Sequence, residues 1–322
     1  MTEFLPFENA HIDSAALLVA DRYMKNREVF PMLPQEYTMV DHTRNLVHKE
    51  FDRSFSMGYV AVENDQVVSF MLGYELQSGV YGRSGWVPLA GHGGSLDYYR
   101  QLYALLADEW VRDGCFSHAV IVPALDRDML NLWFELGFGK EQAYALRSLE
   151  VVQLTDTIDI EVRQATPSDE AIARAISNTV AGYQTSSPVF GPTTRHDLAD
   201  LADGYAEVIT DKDCTFWLGL KDGEVVAYHI YEASNSNLMS PEHSVALPSA
   251  GTLTTLRGQG IGTQMCQYCF SWAQQQGFNY VVADWRTTNL LASHFWKKVG
   301  FEPVAYRLAR RIDPNIAWGR LR

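Results

Sequence analysis

Basic side chains are in short supply. The 322 residues carry 26 lysines and arginines against 39 aspartates and glutamates, a formal net charge of −13. Such a balance argues against general nucleic-acid binding, which needs a basic surface to neutralise phosphates. No apolar run reaches 18 residues, so nothing reads as a membrane span. Four cysteines are too few for a disulfide scaffold in a chain of this length. The opening Met1-Thr-Glu-Phe-Leu-Pro6 lacks a basic region followed by an apolar stretch, so no secretory leader is expected. A reduced, cytoplasmic setting follows as the expectation.

Apolar material is plentiful. Hydrophobic residues make up 47% and charged residues 20%, a globular composition with enough length for two domains. Acidity is concentrated in residues 1–160, net −11, while residues 161–322 are net −2. An anionic ligand meets less repulsion in the second half.

The chain also repeats itself. Gly114 is followed after 12 residues by Asp126 and after 11 more by Gly137-Phe138; Gly277 is followed after 12 by Asn289 and after 11 more by Gly300-Phe301. Trp133 and Trp296 each stand four residues before the last glycine, and one offset of 163 relates every pair. Val67-Val-Ser-Phe70 after Asn64-Asp65 likewise matches Val225-Val-Ala-Tyr228 after Asp222-Gly223. Several matches in one order indicate duplication.

Each copy reads alike. An amphipathic helix comes first (11–25 and 168–180), with Ser168 or Asp169 suited to an N-cap. After a Pro-bearing loop and a second helix comes a hairpin, 58–63 with 66–75 and 215–221 with 224–232, turning on Asn-Asp and Asp-Gly. A further strand, a glycine-bearing loop, a long helix (97–113 and 262–276), a short apolar strand, an aromatic-rich helix and a last strand complete the copy. The fold class expected is α+β, with two tandem domains at 1–150 and 159–322, each a mixed sheet flanked by helices. Residues 151–158 form the expected seam.

The loop Arg257-Gly-Gln-Gly-Ile-Gly-Thr263 lies between a strand ending near Thr252 and a long helix. Glycines allow backbone angles closed to other residues and let N–H groups approach an anion. A helix N-terminus behind them adds unpaired donors and a partial positive charge. Three readings compete: a plain tight turn, a dinucleotide site and a coenzyme A diphosphate cradle. The dinucleotide pattern needs its third glycine one residue later, where Thr263 stands. A phosphate-binding Walker loop is excluded, because no Gly-Lys-Ser/Thr follows.

Arg257–Thr263 resembles the R/Q-x-x-G-x-G/A motif of the GNAT acetyltransferase superfamily. Asn289-Leu-Leu-Ala-Ser-His-Phe-Trp-Lys-Lys-Val-Gly-Phe301 is similar to that family's N-x-x-A-x-x-[FL]-Y-x-x-x-G-F segment. The resemblance covers residues 160–312 and extends through the repeat to 1–150, the tandem arrangement also seen in mycothiol synthases. It implies acetyl-coenzyme A as co-substrate and no metal. Diphosphate contacts would come from Arg257, Gly258, Gln259, Gly260, Ile261, Gly262 and Thr263; Thr252, Leu253 and Asn289 complete the expected cofactor-binding set. The strand end at 251–253 would pair with the pantetheine arm. An amine of a small molecule or peptide would attack the thioester directly in a ternary complex, where alignment alone can supply on the order of 7–11 kcal/mol.

The family's usual acid is a tyrosine at the position of Trp296, and an indole N–H is not a usable acid. Ser293, His294 and Tyr306 are possible substitutes, with Tyr306 taken as the candidate. Base candidates are Glu242, His243, Glu232 and Asp284; partial burial of Asp284 at its strand end would raise its pKa, and a structural ion pair with Arg286 is the competing reading. Cys266 and Cys269 form C-x-x-C inside a helix, past its first turn, where core packing explains them. Residues 183–196 read either as an acceptor-side lid or as an ordinary loop.

The first copy of the cradle is Leu89-Ala-Gly-His-Gly-Gly-Ser-Leu-Asp97, with Asp97 opposite Gly260 and no basic partner for Arg257. That half is expected to be a non-catalytic companion. A non-catalytic acyl-coenzyme A-binding protein remains the alternative to an N-acetyltransferase.

Overall fold

The computed structural model describes residues 2–78, 82–150 and 159–319. The expected seam therefore falls outside the described residues. Two compact units emerge: one runs to Ala143 and resumes at Val304, the other is Tyr144–Pro303.

In chain order the first half contains β1 (Glu3–Pro6), α1 (Ile12–Val29), α2 (Val40–Phe51), β2 (Ser56–Glu63), β3 (Gln66–Ser78), β4 (Gly82–Val87), β5 (His92–Gly94), α3 (Tyr99–Arg112), β6 (Ser117–Pro123), α4 (Arg127–Glu135) and β7 (Gly139–Ser148). The second half repeats the series as β8 (Glu161–Gln164), α5 (Glu170–Ile176), α6 (Asn178–Gln184), α7 (Arg195–Val208), β9 (Cys214–Lys221), β10 (Glu224–Ser234), β11 (Ser244–Thr252), α8 (Ile261–Gln275), β12 (Tyr280–Arg286), α9 (Leu290–Lys298) and β13 (Glu302–Arg311). Among the described residues no helix is long and apolar enough to cross a membrane.

Both hairpins form where their turns predict. Asn64 and Asp65 (φ 49° and 63°) and Asp222 and Gly223 (φ 52° and 81°) sit in the left-handed region, as a two-residue turn matched to strand twist requires. Glu63 then faces Gln66, and Lys221 faces Glu224. The single helix expected over 168–180 is instead two, α5 and α6, separated by Ser177, whose hydroxyl donates to the carbonyl of Arg174 at 2.8 Å. Asp169 takes the N-cap position of α5, but its side chain bonds back to Thr166 and makes no cap bond to α5. Thr166 and Asp169 form the capping box, and Asp169 also takes a two-pronged ion pair from Arg163 at 2.7 and 2.8 Å.

The last strands depart most from the sequence reading. β13 lies antiparallel on β6, from Ala305 opposite Pro123 to Arg311 opposite Ser117, within the first unit. Tyr144–Ser148 of β7 belong to the second unit, whose sheet runs β7, β12, β11, β10, β9, β8. Leu149 fixes this exchange: its amide donates to the carbonyl of Asn279 at 2.8 Å, and its carbonyl accepts from Gln274. The units therefore do not coincide with 1–150 and 159–322. Residue alternation marks a strand but does not name its neighbour.

Helices cover both faces of each sheet. In the first unit Tyr99, Leu102, Leu106, Trp110 and Trp133 fill one face, while Ile12, Val19, Val47 and Phe70 fill the other. In the second unit Ile176 and Tyr205 pack on Phe216, Leu218 and Tyr228. The opposite face carries α8, where Met265 would press within 2.6 Å of any β-carbon at Gly219.

Two buried histidines tie this core to pH. His118 accepts from the Tyr103 hydroxyl at Nδ1 (2.8 Å) and donates from Nε2 to the Cys115 carbonyl (3.1 Å), which fixes a neutral tautomer. Burial pushes its pKa down to about 4 and that of His229 to about 3. The unfolded chain takes these protons near pH 6.5, the native one only below 4, so unfolding consumes protons between those limits. Stability should fall as pH drops from about 6.5, with His118 alone contributing on the order of 3 kcal/mol by pH 4. Urea midpoints at pH 7, 5.5 and 4.5 should show that decline, and His118→Gln should flatten it. Trp133→Ala, which empties a fully buried ring site, should cost roughly 3–5 kcal/mol in the same assay.

Candidate functional site

The site begins with a break in a ladder. β11 and β12 run parallel and pair only through Ser244–Tyr280, Val245–Val281 and Ala246–Val282. Both strands continue, β11 to Thr252 and β12 to Arg286, without pairing further. The cause lies on the other edge of β11. Ile230 of β10 faces Ser249 and Glu232 faces Ala246, so Leu247 and Pro248 together oppose the single residue Tyr231. This β-bulge bends the strand, and Pro248 has no N–H to offer a ladder. Beyond it β11 stays paired with β10 as far as Thr252, and its other edge faces a gap. An extended chain can add to such an edge as a strand.

The glycine loop stands at the mouth of this gap. After Thr252 comes one tight turn, Thr254–Leu256, then Arg257 and the glycines. Gly258 and Gly260 both have φ +81°, and Gly260 is the N-cap of α8. A β-carbon at Gly258 would meet nothing within 4 Å, so glycine is required there by backbone angle rather than by crowding. Gly262 differs: its β-carbon would approach the Phe295 ring at 3.2 Å, so that glycine lets α9 pack on α8.

No side chain caps α8. The first-turn amides of a helix have no intrahelical partner, and those of Gly258, Gln259 and Gly260 find none among the described residues. The positive end of a fifteen-residue helix is thereby left open, with Ile261 buried to anchor it. Arg257 is aimed by two contacts. Its Nε donates to the Thr252 carbonyl at 3.2 Å, and its guanidinium lies 5.0 Å over the Tyr183 ring of α6. Thr252 and Leu253 hold the loop's other end, the Leu253 amide donating to Val226 at 2.9 Å. Such an open helix start, with a cation at its rim, has the chemistry to receive an anion.

Other sequence candidates are spread more widely. Asn289 caps α9, its side-chain oxygen accepting from the Ala292 amide at 3.0 Å. Trp296 is buried in a ring stack, 5.0 Å from Phe295 and 5.3 Å from Phe301. Its counterpart Trp133 stacks with Phe138 at 4.8 Å, so in both copies this position serves packing. Ser293 is committed to the Thr287 carbonyl at 2.9 Å.

Asp284 lies on β12 two residues past the last paired position. It is exposed, not partly buried as the sequence suggested. Glu242 and His243 precede β11 at its paired end, ten residues from Thr252. At the rise of an extended strand that is about 30 Å from the cradle. Glu232 faces Ala246 at the same closed end. Tyr306 belongs to the first unit, opposite Val122 on β6, with the Lys140 ammonium 3.9 Å over its ring. Cys266 and Cys269 are free and buried on α8, and burial raises both thiols. Inert core packing follows. The 183–196 segment closes on itself, the Gly191 amide donating to Gln184 at 2.8 Å, and leaves Phe190 exposed.

Sequence reading missed two parts of the site. One is the bulge, whose signal was a proline inside an otherwise strand-like run. The other is a hydroxyl cluster on the α7 side of β11, formed by Tyr205, Tyr228 and Ser249. No spacing in the chain announced it.

The first unit treats the equivalent place differently. Its strand is broken into β4 and β5, and His92 of β5 donates from Nε2 to the Ile121 carbonyl of β6 at 2.9 Å. Arg22 of α1 donates to the carbonyls of His92 (2.5 Å) and Leu89. The following helix start is occupied by its own chain: Ser95 accepts from the Asp97 amide at 3.3 Å. Gly94 sits at φ +94°, where a β-carbon would meet the Val68 carbonyl at 2.2 Å. These glycines serve close packing.

Residues 178–301 match the model of the GNAT acetyltransferase family. The probable N-acetyltransferase camello of Xenopus tropicalis is 25% identical over 133 residues, 41% of this chain and 59% of that protein. The chain thus spans less than two thirds of that relative's length. A GCN5-related N-acetyltransferase from Sphaerobacter thermophilus superposes with a TM-score of 0.62 at 13% identity, covering 97% of this chain and 96% of that one. A tandem GNAT protein from the clavulanic acid biosynthesis pathway does so with a TM-score of 0.53 at 11% identity, covering 97% and 98%. At such identities the two structures speak for the fold. Residues 178–301, which include the open helix start and the parted strands, thus match the GNAT acetyltransferase family, and the chain as a whole shares the fold of these GNAT structures.

Proposed function

We propose that the second unit binds acetyl-coenzyme A and transfers its acetyl group to an amine of a small molecule or peptide by direct attack. The observation that carries this reading is the uncapped start of α8, with Gly258 and Gly260 in the left-handed region, at the mouth of the β11–β12 gap. Backbone amides from 258 to 263 would receive the diphosphate, and Arg257 would add charge at the rim. The free edge of β11 would orient the pantetheine arm toward the bulge at Leu247–Pro248. Acetyl-coenzyme A supplies a thioester that an uncharged amine can attack, so the protein's task is alignment and removal of one proton.

Asp284, on the parted section of β12, is the carboxylate best positioned to take that proton, directly or through water. Glu242 stands at the closed end of the same strand pair, so it does not enter the reading. The thiolate leaves with a pKa of about 8.5 for a simple thiol and does not require a strong acid. The ring stack around Trp296 favours a second reading, an acyl-coenzyme A-binding protein without turnover. The first unit, bridged by Arg22 and His92, would bind no cofactor.

Three measurements test these statements. Calorimetry should give one acetyl-coenzyme A per chain; two sites would overturn the assignment of the first unit. Gly260→Asp should reduce affinity at least a hundredfold, while Gly260→Asn, with the same backbone demand and no charge, should retain much more. Equal losses would refute the electrostatic cradle. Thiol release dependent on an added amine separates transfer from binding alone.

A further inference from the structure

The three hydroxyls of Tyr205, Tyr228 and Ser249 form a closed triangle. Tyr205 lies 2.5 Å from Ser249 and 3.0 Å from Tyr228, and Tyr228 lies 3.2 Å from Ser249. They come from α7, β10 and β11, so three separate elements converge on one point. Each hydroxyl has a single proton to donate. When each hydroxyl donates to the next around this triangle, all three donors are used internally and every member keeps a lone pair.

Both phenols are buried, at 7% and 1% exposure, whereas Ser249 is half-buried. Ser249 is thus the one member able to meet a ligand, and what it offers is an acceptor. Its place matters equally. It follows the bulge immediately, in the part of β11 that has parted from β12. Two residues on, a β-carbon at Gly251 would press the Tyr228 ring at 2.8 Å and Thr179 of α6 at 3.2 Å. That glycine lets the phenol lie flat on the strand beside Ser249.

Resting on the acyl-transfer reading, we propose that Ser249 Oγ receives an N–H of the acceptor amine at the gap, with Tyr205 and Tyr228 as positioning residues that fix its lone pair outward. A ring with its protons already committed selects for a hydrogen-bond donor over an acceptor, which suits an amine and disfavours a carboxylate or phosphate at this point.

The full-length protein should be assayed for thiol release from acetyl-coenzyme A with spermidine, glucosamine, a lysine-containing peptide and a peptide with a free N-terminus. With the best of these amines, Ser249→Ala should raise the KM for the amine at least tenfold, leaving acetyl-coenzyme A affinity by calorimetry and the melting temperature nearly unchanged. Ser249→Thr should restore most of the loss. Tyr205→Phe should raise the amine KM threefold or more, and adding it to Ser249→Ala should cause no further change, because the phenol acts through the serine. An unaltered amine KM in Ser249→Ala overturns the inference, whereas a wild type that releases no thiol with any of the four amines strikes the acyl-transfer reading on which it rests. Failure of the wild type to bind acetyl-coenzyme A would strike that reading as well.

Discussion

The parting of β11 from β12 in the second unit depends on one mismatch in register. Leu247 and Pro248 oppose Tyr231 alone, and from that point β11 leaves β12. Parting two central strands is costly, because each releases backbone groups that a ladder would satisfy. The missing N–H of Pro248 lowers the cost locally, and β10 keeps the other edge paired to Thr252. The result is a free strand edge leading to a helix start that no side chain caps. Loop and gap are therefore one construction, and the groups it leaves open are those to which the proposed function assigns a diphosphate and an amide-bearing arm.

The two copies solve the same problem in opposite ways. In the first, the groups at the break are satisfied by the protein itself: His92 reaches across to Ile121, and Arg22 serves the carbonyls of His92 and Leu89. Burial holds His92 neutral, well below its ordinary pKa, so its Nδ1 can accept from Arg22 and Tyr99. Ser95 and Asp97 then close the helix start. A satisfied polar network of this kind is rigid and expensive to break open. One copy satisfies its backbone groups at the break internally, while the other leaves the start of α8 without a side-chain cap.

Trp296 shows how a family position can change meaning. As an indole it cannot donate a proton in catalysis, yet it packs between Phe295 and Phe301 while Phe295 touches the space left by Gly262. Its contribution is to seat α9 against the helix that carries the cradle.

The chain alone revealed whatever is encoded locally: the hairpins, from turn residues that tolerate positive φ; the long helices, from their periodicity; the repeat of elements, from matches in one order; and the left-handed glycines ahead of α8, from their spacing after an arginine. The tertiary structure decided what depends on neighbours distant in the chain. Alternation of residues does not choose a strand's partner, so the exchange of β7 and β13 was not legible. Neither was the placement of Glu242 at the closed end of a ladder, since distance along a strand becomes separation in space only once register is set. The meeting of Tyr205, Tyr228 and Ser249 across 44 residues of sequence likewise follows from packing alone, because hydroxyls carry no pattern until a sheet and a helix bring them together.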